Sequence, residues 1–426
     1  VSTVLPLSLK AYRLATSCFR PFAGLLLDKR QRRGKEDASR RSERLGIAGR
    51  PRPEGRLAWL HGASVGEAIT LLPLATRLAG EGYRILMTTG TVTSAALMAE
   101  RLPAGAIHQF VPLDISAYVR RFLDHWRPDL VCFLESELWP GMIAEINAAD
   151  IPLALVNGRM SPRSFARWCR LPRTSAALLG SFDLIAAQSE DDGRRFASLG
   201  APRVIVTGNL KFDAPLPPAY PGILEGLQQA VADRPLWLAA VTHEGEEALA
   251  GEVHAAQKGR FAGLLTLIVP RHPERGEAIA AALREKGLNV ALRSRGTALE
   301  AQHDVYVADT VGEMGVFYRL ARIVFMGKSL LGKGGQNPIE PVKLGGAVLH
   351  GPHIQNFVEA YGALDGMGGA VVVHSPAELS GAVARLLSEP AEVERVAAGG
   401  ARAIAALTGA LERTLAALLP LGARRP

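Results

Sequence analysis

The chain has 426 residues, more than one hydrophobic core ordinarily organises, so two domains are expected. Hydrophobic residues make up 48% and charged residues 21%, which excludes a disordered or fibrous chain. The three cysteines, Cys18, Cys132 and Cys169, lie far apart, which excludes a disulfide framework and a cysteine-spaced zinc site and fits a reducing compartment.

The net charge of +8 is gathered near the start of the chain. Residues 1–50 combine an apolar stretch, interrupted by Lys10, Arg13 and Arg20, with a basic run that includes Lys29, Arg30, Arg32, Arg33, Lys35, Arg40, Arg41, Arg44 and Arg50. The stretch is too short and too broken to span a bilayer and has no signal-cleavage pattern. It suits a helix lying in the membrane interface, followed by a basic patch facing anionic lipid. Nucleic acid is not expected as a partner, because no stacking aromatics interleave with the charge.

From residue 56 the pattern alternates strand and helix. Strands are predicted at 56–60, 84–88, 107–111, 130–134, 152–156, 184–187 and 204–206, with helices between them at 95–102, 117–125 and 192–199, among others. A proline-rich stretch at 214–234 reads as a linker. A second series follows at 236–240, 264–269, 289–292, 304–307, 323–326, 347–349 and 370–373, and alanine-rich helices close the chain from 377 to 419. Such alternation predicts two parallel sheets covered on both faces, with ligands at the carboxyl ends of strands in a cleft between the domains. The domains are therefore 1–50, a membrane-associating segment; 51–213; the linker 214–234; and 235–426, whose final helix is expected to pack back on the first domain.

The first strand runs into Trp59-Leu60-His61-Gly62-Ala63-Ser64-Val65-Gly66-Glu67. Three readings stand here. Gly62 to Gly66 fits G-x-S-x-G, which would make Ser64 the nucleophile of an α/β-hydrolase. Ser64 and Glu67 also fit the S-x-x-E capping box. In the third reading a strand–turn–helix junction presents backbone N–H groups and places Glu67 in the first helical turn as a general base.

Further candidates follow at other strand ends. Glu135-Ser136-Glu137 puts two carboxylates at i and i+2, on one face if the segment is extended. A metal there is not favoured, since no Asp-x-Asp occurs in the chain. Lys211 could neutralise a leaving phosphate, and Arg271 and His272 follow Pro270 at the end of a strong strand, which suits phosphate binding. Gly327-Lys328-Ser329 resembles the end of a P-loop, but Arg322 stands where the first glycine is required. Gly334-Gly335-Gln336-Asn337-Pro338-Ile339-Glu340 joins a glycine pair to an acidic helix start that could hold ribose hydroxyls, and Thr310-Val311-Gly312-Glu313-Met314 is a similar junction.

Taken in order, RRSERLG, WLHGASVGE, MTTGTVTSA, ESELWP, NGRMSPRSF, QSEDDGRRFASLGA, TGNLKFD, PRHPER, VADTVGEMGVFY and GGQNPIEP resemble a 3-deoxy-D-manno-octulosonic acid (Kdo) transferase of lipopolysaccharide synthesis. The chain departs from that pattern at Gln336, where histidine is expected, and at Lys333, where arginine is usual. The resemblance implies an α/β chain of two Rossmann-like domains facing a cleft, the B-type glycosyltransferase fold. It implies inverting transfer of Kdo from CMP-Kdo to the lipid A precursor, a tetraacyl disaccharide bisphosphate, at the cytoplasmic face of the bacterial inner membrane. It implies Glu67 as general base, with Ser64 and Gly66 on the acceptor side, and Glu137 and Lys211 assisting the transition state. Pro270, Arg271, His272, Gly312, Glu313, Met314, Asn337, Pro338, Ile339 and Glu340 would surround CMP. No metal or other cofactor is expected. A nucleotide-sugar epimerase of the same architecture is the rival reading, and it would need no lipid acceptor.

Overall fold

The computed structural model describes residues 6–423 and divides into two units, Val1–Ala214 with Leu407–Pro426, and Pro215–Ala406. The first holds strands β1 (Leu57–His61), β2 (Arg84–Thr89), β3 (Ile107–Phe110), β4 (Leu130–Leu134), β5 (Leu153–Gly158), β6 (Leu184–Ala187) and β7 (Val204–Val206). They form one parallel sheet in the order β3-β2-β1-β4-β5-β6-β7. The second unit holds β8 (Leu236–Thr242), β9 (Leu265–Pro270), β10 (Val290–Leu292), β11 (Val305–Val307), β12 (Ile323–Met326), β13 (Ala347–His350) and β14 (Ala370–Val372). Its parallel sheet runs β10-β11-β9-β8-β12-β13-β14. Both are Rossmann-like, and each predicted strand is present within two residues at either end.

The strands are unbroken apolar runs because both faces of each sheet are covered. Alternation along β1 sends Leu57 and Trp59 into one core and Ala58 and Leu60 into the other. In each unit the first strand lies inside the sheet, and the chain fills one side of it and then the other; in the second unit β11 inserts between β9 and the edge strand β10. The order reverses between β1 and β4, and between β8 and β12. Loops leaving the carboxyl ends of those strands diverge, and the crevice they leave is where such sheets take ligands.

Two expectations about domain limits need correction. Residues 214–234 are not a free linker: the helix Pro221–Val231 buries Leu227 and Val231 within the second unit, and the Arg319 guanidinium donates to the Pro217 carbonyl. The final helix, Ala410–Gly422, packs back on the first unit, with Leu415, Leu418 and Leu421 in the core beneath the helix Val65–Gly80. Asp213 fixes its start by accepting from the Gly409 and Leu411 N–H groups, each at 2.8 Å. The stretch Pro390–Gly422 is apolar and long enough to cross a membrane by composition alone, yet it breaks at Gly409, where φ is 90°, and its halves serve the cores of different units.

The second correction concerns residues 1–50. Helices Leu7–Cys18 and Ala23–Arg32 bury Leu9, Ala23 and Leu27 but leave Leu14 and Leu25 at 67% and 65% exposure, with Phe19 and Phe22 also exposed. The basic run is not one patch. Lys29, Arg32, Arg33 and Lys35 are exposed, whereas Arg30 and Arg44 share Glu36, Arg40 holds Glu43, and Arg41 holds Asp28. Arg44 is buried and also donates to the Val111 and Gly90 carbonyls. Half of the RRSERLG motif is thus internal scaffolding.

Candidate functional site

In the first unit, β1 ends at His61 and the turn Gly62-Ala63 leads into the helix Val65–Gly80. Gly62 is needed for close packing: a Cβ there would stand 3.0 Å from the Glu67 Cβ. Ser64 is the N-cap, accepting from the Glu67 N–H and donating to Glu67 Oε1 at 2.9 Å. Glu67 Oε2 accepts from the Ala63 N–H at 2.7 Å. The capping geometry and the presentation of Glu67 therefore coincide. The carboxylate is half-buried, fixed through both oxygens, and placed in the helix's first turn, where the dipole favours negative charge. The Ser64 hydroxyl is committed to this cap, with no histidine among its partners, which leaves the nucleophile reading without a base. Gly66, exposed beside Glu67, has open space around it.

Glu135 and Glu137 leave β4, the neighbour of β1 across the point of reversal. They do not share a face. Glu135 has φ of 55°, and this left-handed residue breaks the alternation. Its carboxylate pairs with the Lys211 ammonium at 2.7 Å, while Glu137 turns to His61, whose Nε2 lies 3.4 Å from Glu137 Oε2. The Trp139 indole N–H also donates to Glu137. Burial works against charge on Glu137, but His61 and Trp139 outweigh it and lower its pKa. Lys211 thus meets Glu135 rather than Glu137. It sits in a short 3₁₀ turn, Leu210–Asp213, whose start Asn209 caps. His61, 76 positions before Glu137, was not singled out in sequence; only the pairing of β1 with β4 reveals it.

In the second unit, the loops after β8 and β12 meet through Glu246. This buried carboxylate accepts from the His243 N–H and, with both oxygens, from the Lys328 N–H. Burial raises its pKa. Val241 and Lys328, with φ of 55° and 59°, are held left-handed at the two strand ends, a strain that persists only where surrounding structure enforces it. A Cβ on Gly327 would lie 2.4 Å from the Val241 carbonyl, so the two loops touch there. Gln336, the departure from the expected histidine, bonds His243 Nε2 through its amide nitrogen at 2.9 Å. Through this contact Gln336 and His243 lock one another's orientation. Burial lowers its pKa, and the positive charges of Lys328, His272, Arg271 and Arg275 add to the effect. His243 and Glu246 were missed in sequence, although Thr242-His243-Glu244-Gly245-Glu246 has the same strand–turn–helix form as the segment around Glu67.

The remaining donor candidates divide. Arg271 and His272 are exposed just past β9, and the Arg271 N–H is tied to the Thr242 carbonyl. The ring of His272 lies 6.0 Å from that of His243, so Arg271, His272 and His243 gather at one end of the sheet. Gly312 is exposed with φ of 90°, and Met314 starts the following helix. The Glu313 side chain is buried and clamped by both arms of Arg293 and by Thr310, so a role for its carboxylate at CMP is not supported by its position. The Arg293 pairing lowers its pKa. Asn337 donates to Glu340 and accepts from the Ile339 N–H, and both polar side chains are half-buried. Pro270, Pro338 and Ile339 are buried and supply shape rather than polar contacts. Among the described residues, no cluster of three or more His, Cys, Asp or Glu could hold a metal ion.

A family model described as 3-deoxy-D-manno-octulosonic-acid transferase (kdotransferase) matches residues 39–214. The chain is 36% identical over 399 residues to the probable 3-deoxy-D-manno-octulosonic acid transferase, mitochondrial, of Arabidopsis thaliana, covering 90% of this chain and 89% of that protein. It is 33% identical over 408 residues to the 3-deoxy-D-manno-octulosonic acid transferase of Haemophilus influenzae, covering 94% of each. A glycosyltransferase structure from Rickettsia africae shares the fold, with a TM-score of 0.60 at 12% identity, covering 87% of this chain and all (100%) of that one. By these matches the chain belongs to the 3-deoxy-D-manno-octulosonic acid transferase family and is a glycosyltransferase.

Proposed function

We propose that the protein transfers Kdo from CMP-Kdo to the lipid A precursor with inversion at the anomeric carbon. The observation that carries this reading is the Glu67 carboxylate, fixed by the Ala63 N–H and the Ser64 hydroxyl at the helix start beside the sheet's point of reversal. A sugar hydroxyl is a very weak acid, so its proton must leave as the new bond forms. Glu67 takes that proton. The acceptor oxygen bonds to the anomeric carbon, the bond from that carbon to the phosphate oxygen breaks, and its electron pair leaves with CMP. One base and one displacement give inversion.

Positive charge developing on the anomeric carbon of the transferred sugar favours an ionised Glu137. Negative charge on phosphate favours Arg271 and His272, and the Lys211 ammonium, which among the described residues gives one of its three donors to Glu135, keeps charge free to assist the transition state. CMP carries a single phosphate, and Glu135 is already occupied by Lys211. The reaction is therefore proposed to need no divalent metal. Asn337 and Glu340 suit the ribose hydroxyls. The test is CMP release: it should require both CMP-Kdo and the lipid acceptor. Turnover of a nucleotide sugar with no acceptor would favour the epimerase instead.

The exposed Leu14, Phe22 and Leu25, beside Lys29, Arg32, Arg33 and Lys35, support placement on an anionic membrane surface, proposed to be the cytoplasmic face of the bacterial inner membrane. Changing Leu14, Phe22 and Leu25 together to serine is expected to weaken binding to anionic vesicles at least about tenfold, since each buried side chain of this size contributes about 1.5–3 kcal/mol. Vesicle co-sedimentation measures it, and unchanged binding would remove these helices from the membrane account.

A further inference from the structure

His61 is fully buried, with 0% exposure, at the carboxyl end of β1, and no role has so far been assigned to it. Its Nδ1 lies 3.0 Å from the Thr88 hydroxyl and 3.2 Å from the Thr88 carbonyl. The Thr88 hydroxyl accepts from the Trp59 indole at 2.8 Å, and the Thr88 carbonyl accepts from the Gly62 N–H at 3.2 Å. Nε2 has no closed hydrogen bond among the described residues and faces Glu137 Oε2 at 3.4 Å.

Two tautomers are conceivable. With the proton on Nδ1, the Thr88 carbonyl can accept it, but the Thr88 hydroxyl has no ring nitrogen to donate to, and a bare Nε2 lone pair faces the Glu137 carboxylate. With the proton on Nε2, the chain is consistent throughout: Trp59 N–H to Thr88 hydroxyl, Thr88 O–H to His61 Nδ1, and His61 Nε2–H toward Glu137. A buried donor left unmade costs about 1–3 kcal/mol. The 3.4 Å spacing exceeds a closed bond of about 2.7–3.2 Å, and hydrogen bonds of this kind commonly tighten only when substrate is bound.

We propose that His61 is a positioning residue for Glu137, holding its proton on Nε2 and presenting it to the Glu137 carboxylate so that the carboxylate keeps one orientation and its charge during transfer. This rests on the reading that Glu137 assists the transition state. The direction of the Glu137 pKa agrees, since His61 and Trp139 overcome the effect of burial. The other groups recorded against the His61 ring are Thr88 and Phe133, neither of which titrates near neutral pH.

The test compares His61→Phe and His61→Gln in the full chain with CMP-Kdo and the lipid A precursor. His61→Phe keeps the ring shape and lacks the donor. It is expected to lower kcat about 10²-fold, the usual cost of losing one aimed donor. KM for CMP-Kdo should stay unchanged, and the acid limb of the kcat profile should move to higher pH. His61→Gln retains an N–H and should recover most of the loss. Equal losses in both variants, or wild-type kcat in a folded His61→Phe protein, would overturn the proposal. Nitrogen-15 NMR of histidine-labelled wild-type protein decides independently of activity: a bare Nδ1 with Nε2–H is expected, and the reverse tautomer would refute it. Should the wild type transfer no Kdo, the functional reading fails, while the NMR result still decides on the His61–Glu137 bond.

Discussion

Replacing Glu67 by glutamine is expected to lower kcat about 10²–10⁴-fold, the usual contribution of a positioned general base. The amide oxygen can still accept from the Ala63 N–H, so the turn and the helix start should survive. KM for CMP-Kdo should change little, because the residues proposed to hold CMP lie on the other unit. Ser64→Ala makes the opposite prediction. It removes the cap, costs about 1 kcal/mol of stability, and leaves turnover within about tenfold of wild type. Steady-state kinetics and thermal melts on both variants separate the readings. An inactive Ser64→Ala enzyme beside a nearly normal Glu67→Gln enzyme would restore the serine nucleophile.

The second large effect falls on stability rather than chemistry. Arg44→Met should destabilise the first unit by about 3–5 kcal/mol, the range found when one partner of a buried ion pair is removed. Glu36 is 7% exposed and would keep only Arg30, while the Val111 and Gly90 carbonyls would lose their donor. For a unit of roughly 200 residues this lowers the melting temperature by at least about 6 °C. Calorimetry checks it against Arg32→Met, an exposed arginine expected to matter by less than about 0.5 kcal/mol. Equal behaviour of the two variants would mean that the Arg44 network contributes no more than a surface charge.

Much of the fold could be read from the sequence because parallel strands buried on both faces are unbroken apolar runs, and several here lead into helix caps such as Ser64, Thr91 and Ser189. Glu67 was legible for the same reason: it lies within one local motif. What escaped was non-local. His61 and Glu137 meet only because β1 and β4 are neighbours in space, and no periodicity encodes that pairing. The i and i+2 rule failed at Glu135 because one left-handed residue redirects the chain. A count of basic residues could not tell the exposed Arg33 from the buried Arg44, since burial depends on Glu36 folding back beneath it. The return of the last helix depends on Asp213, some two hundred positions away, capping its start.

The most direct measurement is mass spectrometry of the lipid product after incubation with CMP-Kdo and the lipid A precursor in the presence of a chelator. The wild-type enzyme should add the mass of one or more Kdo units, and Glu67→Gln should add almost none in the same time. No mass gain by the wild type, with or without magnesium, would contradict the assigned donor and acceptor.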